Sequence, residues 1–573
     1  MRGRSGAVGK MGADDGMEWE IVAEVAGAVD WVSRFADEVI AEAERRAPGK
    51  PVVCASGLSP SGPVHLGNLR EVMTPHLVAD EIRRRGVEVE HLISWDDYDR
   101  FRKVPAGIDP SWAEHIGKPL TAVPAPPGSR FPNWAEHFKA AMIDSLAELG
   151  VEYRGISQTE MYTSGAYRDQ VLLAMRERNK IDEILDRYRT KGRPAGAPAK
   201  NGKQGPKMDE ADAAAAAEAA EGSGAADEDD GGAGAGYYPY KPYCAQCGKD
   251  FTTVTSYDDA TTAMTYVCQQ DGFTETVTLS EFHRGKLVWK VDWPMRWAYE
   301  FGGTQPIGPM YAFVGISGQA KMSSSRGGAP TPGDALEIME APLLRWMYAR
   351  RRPNQSFKIA FDAEIQRMYD EWDALTAKIA AGTAPPADAA AHDRAVRTAG
   401  RALPQTPLPV AYRTLASIAD ITTGNDEQTL RILADLDPER PVTDLAQVRP
   451  RLAKAQTWVL TQLAPEARTQ VRTEPDKDLL ATLDDTQRES LRLLAAGLDA
   501  NWSLDGLSTL VYGVPKTMAG LPPDTKPTQE LKVAQRAFFV LLYRLLIGKE
   551  TGPRLPTLLL AVGADRLRTL IGA

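Results

Sequence analysis

Cysteine is scarce in this chain, with four in 573 residues, and that excludes a disulfide-stapled scaffold. Long apolar runs are missing as well. No stretch of roughly 18 apolar residues is available to span a bilayer, and the opening Met1-Arg-Gly-Arg-Ser-Gly6 lacks the apolar core of a signal peptide. The expected location is cytoplasmic, with no membrane contact. Positive charge is in deficit: the formal net charge is -10, which at first sight argues against a nucleic-acid partner. Nine acids, however, fall between residues 208 and 236, where there is no base. The rest of the chain is therefore close to neutral, and basic surface can gather locally, as in Arg345, Arg350, Arg351, Arg352 and Lys358. That run reads either as a solvated helix end or as a phosphate contact. Two common nucleotide-binding signatures are also absent. No G-x-G-x-x-G follows the first predicted strand, which excludes a Rossmann dehydrogenase, and no Gly-Lys pair is followed by Ser or Thr, which excludes a P-loop NTPase.

What remains is 43% hydrophobic and 25% charged, enough for two or three domains with proper cores. Residues 1–17 are Gly-rich and expected to be disordered, and helical spacing of apolar residues predicts a helix from Glu18 to Ala47. Pro51 to Ser56 reads as a buried strand, Leu69 to Arg85 as a helix closed by Gly86, and Val87 to Ser94 as a second strand. Strand, turn, helix and strand make the βαβ unit of a doubly wound sheet, which binds ligands at the carboxyl ends of its strands. From 191 to 236 the composition falls to Gly, Ala, Pro, Lys and acids and predicts a flexible insertion. Beyond Asp334 helical periodicity dominates, in Leu343–Tyr348, Ile365–Ala381, Tyr412–Ile418, Leu452–Leu463, Leu491–Leu498 and Val533–Ile547.

Three motifs carry chemistry. After the first strand, Ser59-Pro60-Ser61-Gly62-Pro63-Val64-His65-Leu66-Gly67-Asn68 places an imidazole and a small residue at a helix N-terminus. Backbone N–H groups and the helix dipole favour phosphate there, Gly67 lets a purine approach, and His65 can donate to a phosphate oxygen. Far downstream, Lys321-Met322-Ser323-Ser324-Ser325-Arg326 follows the apolar strand Tyr311–Ile316 and reads as a mobile cationic phosphate clamp. Between them, Cys244-x2-Cys247 and Cys268-x2-Asp271 follow the spacing of a zinc ribbon with aspartate as fourth ligand, so that a structural Zn2+ or a metal-free remnant are the two readings. Cys54 lies in the first strand and reads as a small buried hydrophobe.

The first two motifs, in this order and each after a strand, resemble the HIGH and KMSKS signatures of class I aminoacyl-tRNA synthetases. Together with Asp96-Asp-Tyr-Asp-Arg-Phe-Arg-Lys-Val-Pro105 and Trp289-Lys-Val-Asp-Trp-Pro-Met-Arg-Trp297, they are similar to the lysyl branch in particular. The resemblance implies an α/β fold: a Rossmann-like (HUP-type) parallel sheet with a split insertion and an all-helical C-terminal domain. It divides the chain into a first catalytic half at 18–190, the flexible insertion, a zinc-ribbon-like part at 237–285, a second catalytic half at 286–340 and a helical anticodon-binding domain at 341–573. It also implies activation of L-lysine with ATP and Mg2+, transfer to tRNA(Lys), and a monomer. ATP would be met by Pro60, Ser61, Gly62, His65, Gly67, Asn68, Lys321, Met322 and Ser324, with Ser323 and Ser325 joining the catalytic loop. Asn68 and Ser324 are tolerated variants in that family, and Arg326 can supply the displaced cation.

Gly57 and Ser59 would lie near the lysine backbone, with Asp292 and Trp293 beside the amino-acid pocket. An alkyl-ammonium wants an aromatic wall and an acid, although Asp292-Trp-Pro also reads as a structural turn, and Asp96, Asp97 and Asp99 as a solvated strand end. A class I nucleotidyl transferase that uses no tRNA would share both phosphate motifs but has no need of the long helical C-terminal part. One departure stands out: the family carries a Gly-x-Asp-His element after Trp-Pro-x-Arg-Trp, and here Trp297 runs almost directly to the strand at Tyr311. The junction at Glu300-Phe301 reads as a loss of one strand and one helix, which leaves open a catalytically impaired, ATP- or tRNA-binding protein as the second reading.

Overall fold

The computed structural model describes residues 29–105, 107–188, 236–301, 305–317 and 329–573. The loop at 321–326 and the low-complexity stretch up to residue 235 lie outside the described residues, as do residues 1–28. The first described helix, α1 (Trp31–Arg46), starts later than the periodicity predicts. Asp30 is extended, at φ -138° and ψ 179°, and its carboxylate accepts the Ser33 N–H at 2.8 Å. An N-cap of this kind opens a helix, so the pattern from Glu18 is not one continuous helix.

Strand β1 (Val52–Leu58), helix α2 (Leu66–Arg84), strand β2 (Val89–Trp95), helix α3 (Trp134–Glu148) and strand β3 (Arg154–Ser157) form the expected unit. The three strands are parallel in the order β1-β2-β3, with Gly57 opposite Ser94 and Trp95 opposite Ser157. Gly86, at φ +75°, turns the chain out of α2, a left-handed conformation that suits glycine. Cys54 is buried in β1 among apolar neighbours, and burial pushes its thiol up to about 12. Three short helices follow: α4 (Gln158–Thr163), α5 (Arg168–Arg176) and α6 (Arg178–Tyr188).

The aromatic segment from Tyr237 builds strand β4 (Tyr240–Pro242), the antiparallel sheet β5 (Thr252–Tyr257), β6 (Ala263–Cys268) and β7 (Thr274–Thr278), and then β8 (Gly285–Leu287), which pairs with β4. A core rich in tyrosine, including Tyr98, Tyr162, Tyr167, Tyr240, Tyr243 and Tyr266, packs this ribbon onto α4, α5 and helix α7 (Trp289–Glu300).

Strand β9 (Val314–Ile316), helices α8 (Pro332–Ile338) and α9 (Ala341–Ala349), and strand β10 (Phe357–Ile359) complete the α/β part. β9 and β10 pair in parallel, but as a separate two-stranded sheet. Among the described residues no strand lies between β1 and β9. Helix α2 packs against both, and its Arg70 bonds the carbonyls of Ala312 at 2.6 Å, Pro353 at 2.8 Å and Gln355 at 2.9 Å. Trp31 Nε1 donates to Ala349 O at 2.7 Å and Tyr348 OH to Leu66 O at 2.8 Å, so the two half-sheets share one core. Strand β10 carries the α/β part past residue 340, where the sequence reading begins the helical domain; a three-residue strand leaves no periodic signal.

From Glu364 to Ile571 the described structure is helical, including α10 (Glu364–Ala380), α11 (Pro386–Val396), α12 (Tyr412–Thr422), α13 (Asp426–Ala434) and α14 (Arg451–Gln462). No helix among the described residues is long and apolar enough to cross a membrane. In the basic run, Arg345 is fully buried and bonds the carbonyls of Leu149 and Arg394 and the ring of His76. It is therefore not placed to meet a phosphate; it ties the C-terminal end of α3 to the last turn of α11. Arg350 stacks 4.0 Å from the Trp346 ring, whereas Arg351, Arg352 and Lys358 are exposed.

Glu340, at the start of α9, ties this half to the helical part. It accepts from Thr406 Oγ1 at 2.8 Å and from Arg451 Nε at 2.8 Å, and Arg451 continues to Asp373 at 2.9 Å. Both Glu340 and Arg451 are buried. Removing one partner of a buried pair strands the other charge. Glu340→Ala is expected to destabilise by about 3–5 kcal/mol, read as a lower urea midpoint, with Glu340→Gln costing clearly less; equal effects would contradict this role for the charge.

Candidate active site

The loop between β1 and α2 is pinned at both ends. Trp134 Nε1 donates to Ser61 O at 3.1 Å, and Leu66 N–H donates to Pro330 O at 3.0 Å. Pro60 is buried beneath it, while Ser59 and Ser61 face solvent. His65 is the N-cap of α2: its Nδ1 accepts the Gly67 N–H at 3.0 Å, so the hydrogen of the neutral ring belongs on Nε2. Desolvation lowers the imidazole's pKa and favours that neutral form. A neutral donor thus stands at a helix N-terminus whose dipole attracts anions, while the first N–H groups are engaged, Leu66 by Pro330 O, Gly67 by His65 Nδ1 and Asn68 by His65 O. Gly67 and Asn68 lie half-buried in the first turn.

Gly57 and Trp293, far apart in sequence, are brought into contact. A Cβ at residue 57 would come within 2.6 Å of Trp293 Cη2, so the close approach of the indole requires glycine. Trp293 lies on α7, which makes the segment a helix rather than a turn. The Arg296 guanidinium sits 4.6 Å from the Trp293 ring centre. Arg296 also reaches Asp96 at 2.5 Å, Ser94 Oγ at 3.3 Å and Asp292. Asp292 is fully buried, and its other oxygen accepts from Tyr162 OH. Lys286 pairs with Asp99 and lies 3.9 Å from Asp292. Asp97 holds Lys139 at 3.1 Å, Ser157 Oγ at 2.7 Å and the Thr159 N–H at 2.8 Å. The three aspartates after β2 are therefore bonded into the interior, not a solvated strand end. Arg296, Tyr162 and Lys139 went unmarked in the sequence reading, since nothing local says which cation meets which acid.

Glu71 is a further residue that patterning did not mark. It sits three and four residues after Asn68 and Gly67, hence on the same face of α2. Burial, and after it the nearby Asp96 carboxylate, push its carboxyl up to about 7. A carboxyl whose folded value is raised favours the folded state below its unfolded value, near 4.3, and loses that contribution as pH rises through about 7. Glu71→Gln is therefore expected to gain stability relative to the wild type between pH 5 and pH 8. Unfolding midpoints of both proteins at the two pH values check this; a constant difference would contradict it.

The cysteine knuckle closes as two matching turns. Gly248 N–H bonds Cys244 O at 2.9 Å and Gly272 N–H bonds Cys268 O at 3.0 Å, with both glycines left-handed at φ +72° and +71°. The ligand atoms of Cys244, Cys247, Cys268 and Asp271 lie within 4.8 Å of one another. Cys247 Sγ is 3.7 Å from Cys268 Sγ, and Cys244 Sγ is 3.6 Å from an Asp271 oxygen. A tetrahedral ion with bonds of about 2.3 Å to sulfur sets its ligands about 3.7 Å apart, so the donor set fits a metal ion. Elemental analysis is expected to find one divalent metal per chain, lost in Cys247→Ser and weakened in Asp271→Ala; a metal-free wild type would contradict the assignment.

The sequence matches the model of the family tRNA synthetases class I (K) over residues 29–301 and 300–400. A lysine–tRNA ligase of Streptomyces coelicolor is 66% identical over 586 residues, covering 96% of this chain and 100% of that protein. Lysine–tRNA ligases of Thermococcus kodakarensis and Treponema pallidum are 28% and 27% identical, covering 94% and 95% of this chain and 98% of each relative. A solved glutamate tRNA ligase from Elizabethkingia meningosepticum aligns at a TM-score of 0.36 and 11% identity, over 91% of this chain and 99% of that one. The family match breaks at residues 300–301, where the sequence reading puts the missing segment. On the family match and its Streptomyces relative, the chain belongs to the class I tRNA synthetases of the lysine (K) type.

Proposed function

We propose that this protein activates L-lysine with ATP and charges tRNA(Lys). The observation that carries the reading is the 66% identity to a lysine–tRNA ligase across that relative's full length, joined to a neutral His65 at the N-terminus of α2. In the first step a lysine carboxylate oxygen attacks the α-phosphorus, the bond to pyrophosphate breaks, and lysyl-adenylate forms. In the second a terminal ribose hydroxyl of the tRNA attacks the carbonyl carbon, loses its proton, and AMP departs. Such phosphorus chemistry is mostly positioning and charge stabilisation. His65 donates from Nε2 to a phosphate oxygen, the positive end of the α2 dipole favours the anion, the small Gly67 with Asn68 lets the nucleotide approach, and Pro60 to Gly62 form the floor of the nucleotide. Lys321 with Met322 and Ser323 to Ser325 clamps the leaving pyrophosphate. Gly57 and Ser59 receive the lysine backbone, and Trp293 walls its side chain.

Mg2+ suits this site as an ion brought in on the nucleotide, because Asp96, Asp97 and Asp99 are already engaged by Arg296, Lys139 and Lys286; when bound it neutralises charge on the phosphates. Zn2+ is the metal we assign to the knuckle, since three thiolates and one carboxylate suit it, and its role there is structural. The helical region beyond β10 is assigned to the anticodon, in a monomeric enzyme. The alternative of a binding protein without turnover rests on the shortened segment after Trp297 alone.

Transfer of labelled lysine to tRNA(Lys) tests the reading: charging that requires ATP is expected, and its absence in folded protein would overturn it. His65→Ala should slow adenylate formation about 100-fold, a loss of about 3 kcal/mol of transition-state stabilisation. An unchanged single-turnover rate would remove His65 from the mechanism.

A further inference from the structure

In the lysine reading the substrate's ammonium group needs a partner, and Asp292 is already engaged, with Tyr162 on one of its oxygens and Arg296 on the other. Next to that pair, two buried acceptors have no hydrogen-bond partner: Gln158 Oε1 and Glu300 Oε2. Gln158 is only 1% exposed. Its amide nitrogen donates to Ser94 Oγ at 2.7 Å, and Ser94 stands opposite Gly57 across the β1–β2 pair. The Gln158 acceptor thus belongs to a side chain bonded to the residue that pairs with the glycine on which Trp293 rests. Glu300 ends α7, one turn beyond Arg296, and its other oxygen accepts from Tyr167 OH. Tyr167 is flanked edge-on by Tyr162 at 5.1 Å and Tyr299 at 5.2 Å, which supplies an aromatic wall.

The charges point the same way. Asp96, Asp99 and Asp292 are paired with Arg296 and Lys286, whereas Glu300 has no ion pair of its own among the described residues, since Arg154 on β3 is bonded to Glu90 at the surface and reaches Glu300 only at longer range. A buried acid without an ion pair is unfavourable unless a cation joins it. Burial raises the Glu300 carboxyl's pKa, against the donation from Tyr167, as expected for an acid awaiting a counter-charge.

We propose that Glu300, assisted by Gln158, is the specificity-determining partner of the lysine ε-ammonium, with Asp292 acting instead to position Arg296. An ammonium brings three donors to two free acceptors, and a neutral side chain of the same length leaves both unsatisfied, which is the arrangement that discriminates strongly. The proposal rests on the lysine-activation reading.

The test is lysine-dependent pyrophosphate exchange, with calorimetric lysine binding as a second readout, on the wild type, Glu300→Gln, Glu300→Asp and Gln158→Leu. Glu300→Gln is expected to raise KM for lysine at least tenfold, leave KM for ATP within twofold, and reduce the preference for lysine over norleucine by the same factor. Glu300→Asp should keep most of that preference, and Gln158→Leu should lose several-fold. Unchanged preference in Glu300→Gln, or equal changes in both KM values, would overturn the proposal while leaving lysine activation standing. A wild type that neither exchanges nor binds lysine would overturn that activity and this proposal with it.

Discussion

The buried Arg296 guanidinium is the interaction on which the rest of the site depends. It joins Asp292 on its own helix to Asp96 and Ser94 at the end of β2, and lies over the Trp293 ring. Two carboxylates and a guanidinium removed from water are tolerated only when the geometry is good and the remaining atoms are bonded. A planar fork of donors meets that demand where a lysine would not. Its consequence is architectural: α7 follows the cysteine-bearing ribbon, β2 precedes it, and the salt bridge brings both edges of the proposed amino-acid pocket together around Gly57.

A second constraint is the divided sheet. β1 and β9 are edges with no strand between them among the described residues, and strand edges leave backbone groups that need partners. The molecule compensates through α2, which packs on both halves, and through Arg70, whose donors satisfy three carbonyls around β9 and β10. The same helix carries His65 at its N-terminus, so the element that spans the gap also positions the proposed phosphate site.

Much of this was legible in the sequence. The βαβ unit, the helices from Ile365 onward and the knuckle followed from periodicity, turn residues and cysteine spacing, because those signals are local. Gly57 was marked, and the reason for it, an indole lying across it, is visible only in three dimensions. Less was legible where partners are far apart in sequence. Arg345 looked like surface charge and is core, the aspartates after β2 looked solvated and are paired, and Glu300 stood only as a junction. Charge patterning gives residue types, not which acid meets which base. The helix expected from Glu18 fails at Asp30 for the converse reason: a capping side chain overrode an apolar periodicity.

The central claim is that this chain, with its sheet divided after Trp297, still assembles a site that activates lysine. Lysine-dependent exchange of labelled pyrophosphate into ATP by the wild-type protein, with and without tRNA, addresses it most directly. Exchange that requires lysine and disappears in Lys321→Ala is the predicted result. A folded, tRNA-binding protein with no exchange under either condition would contradict the account.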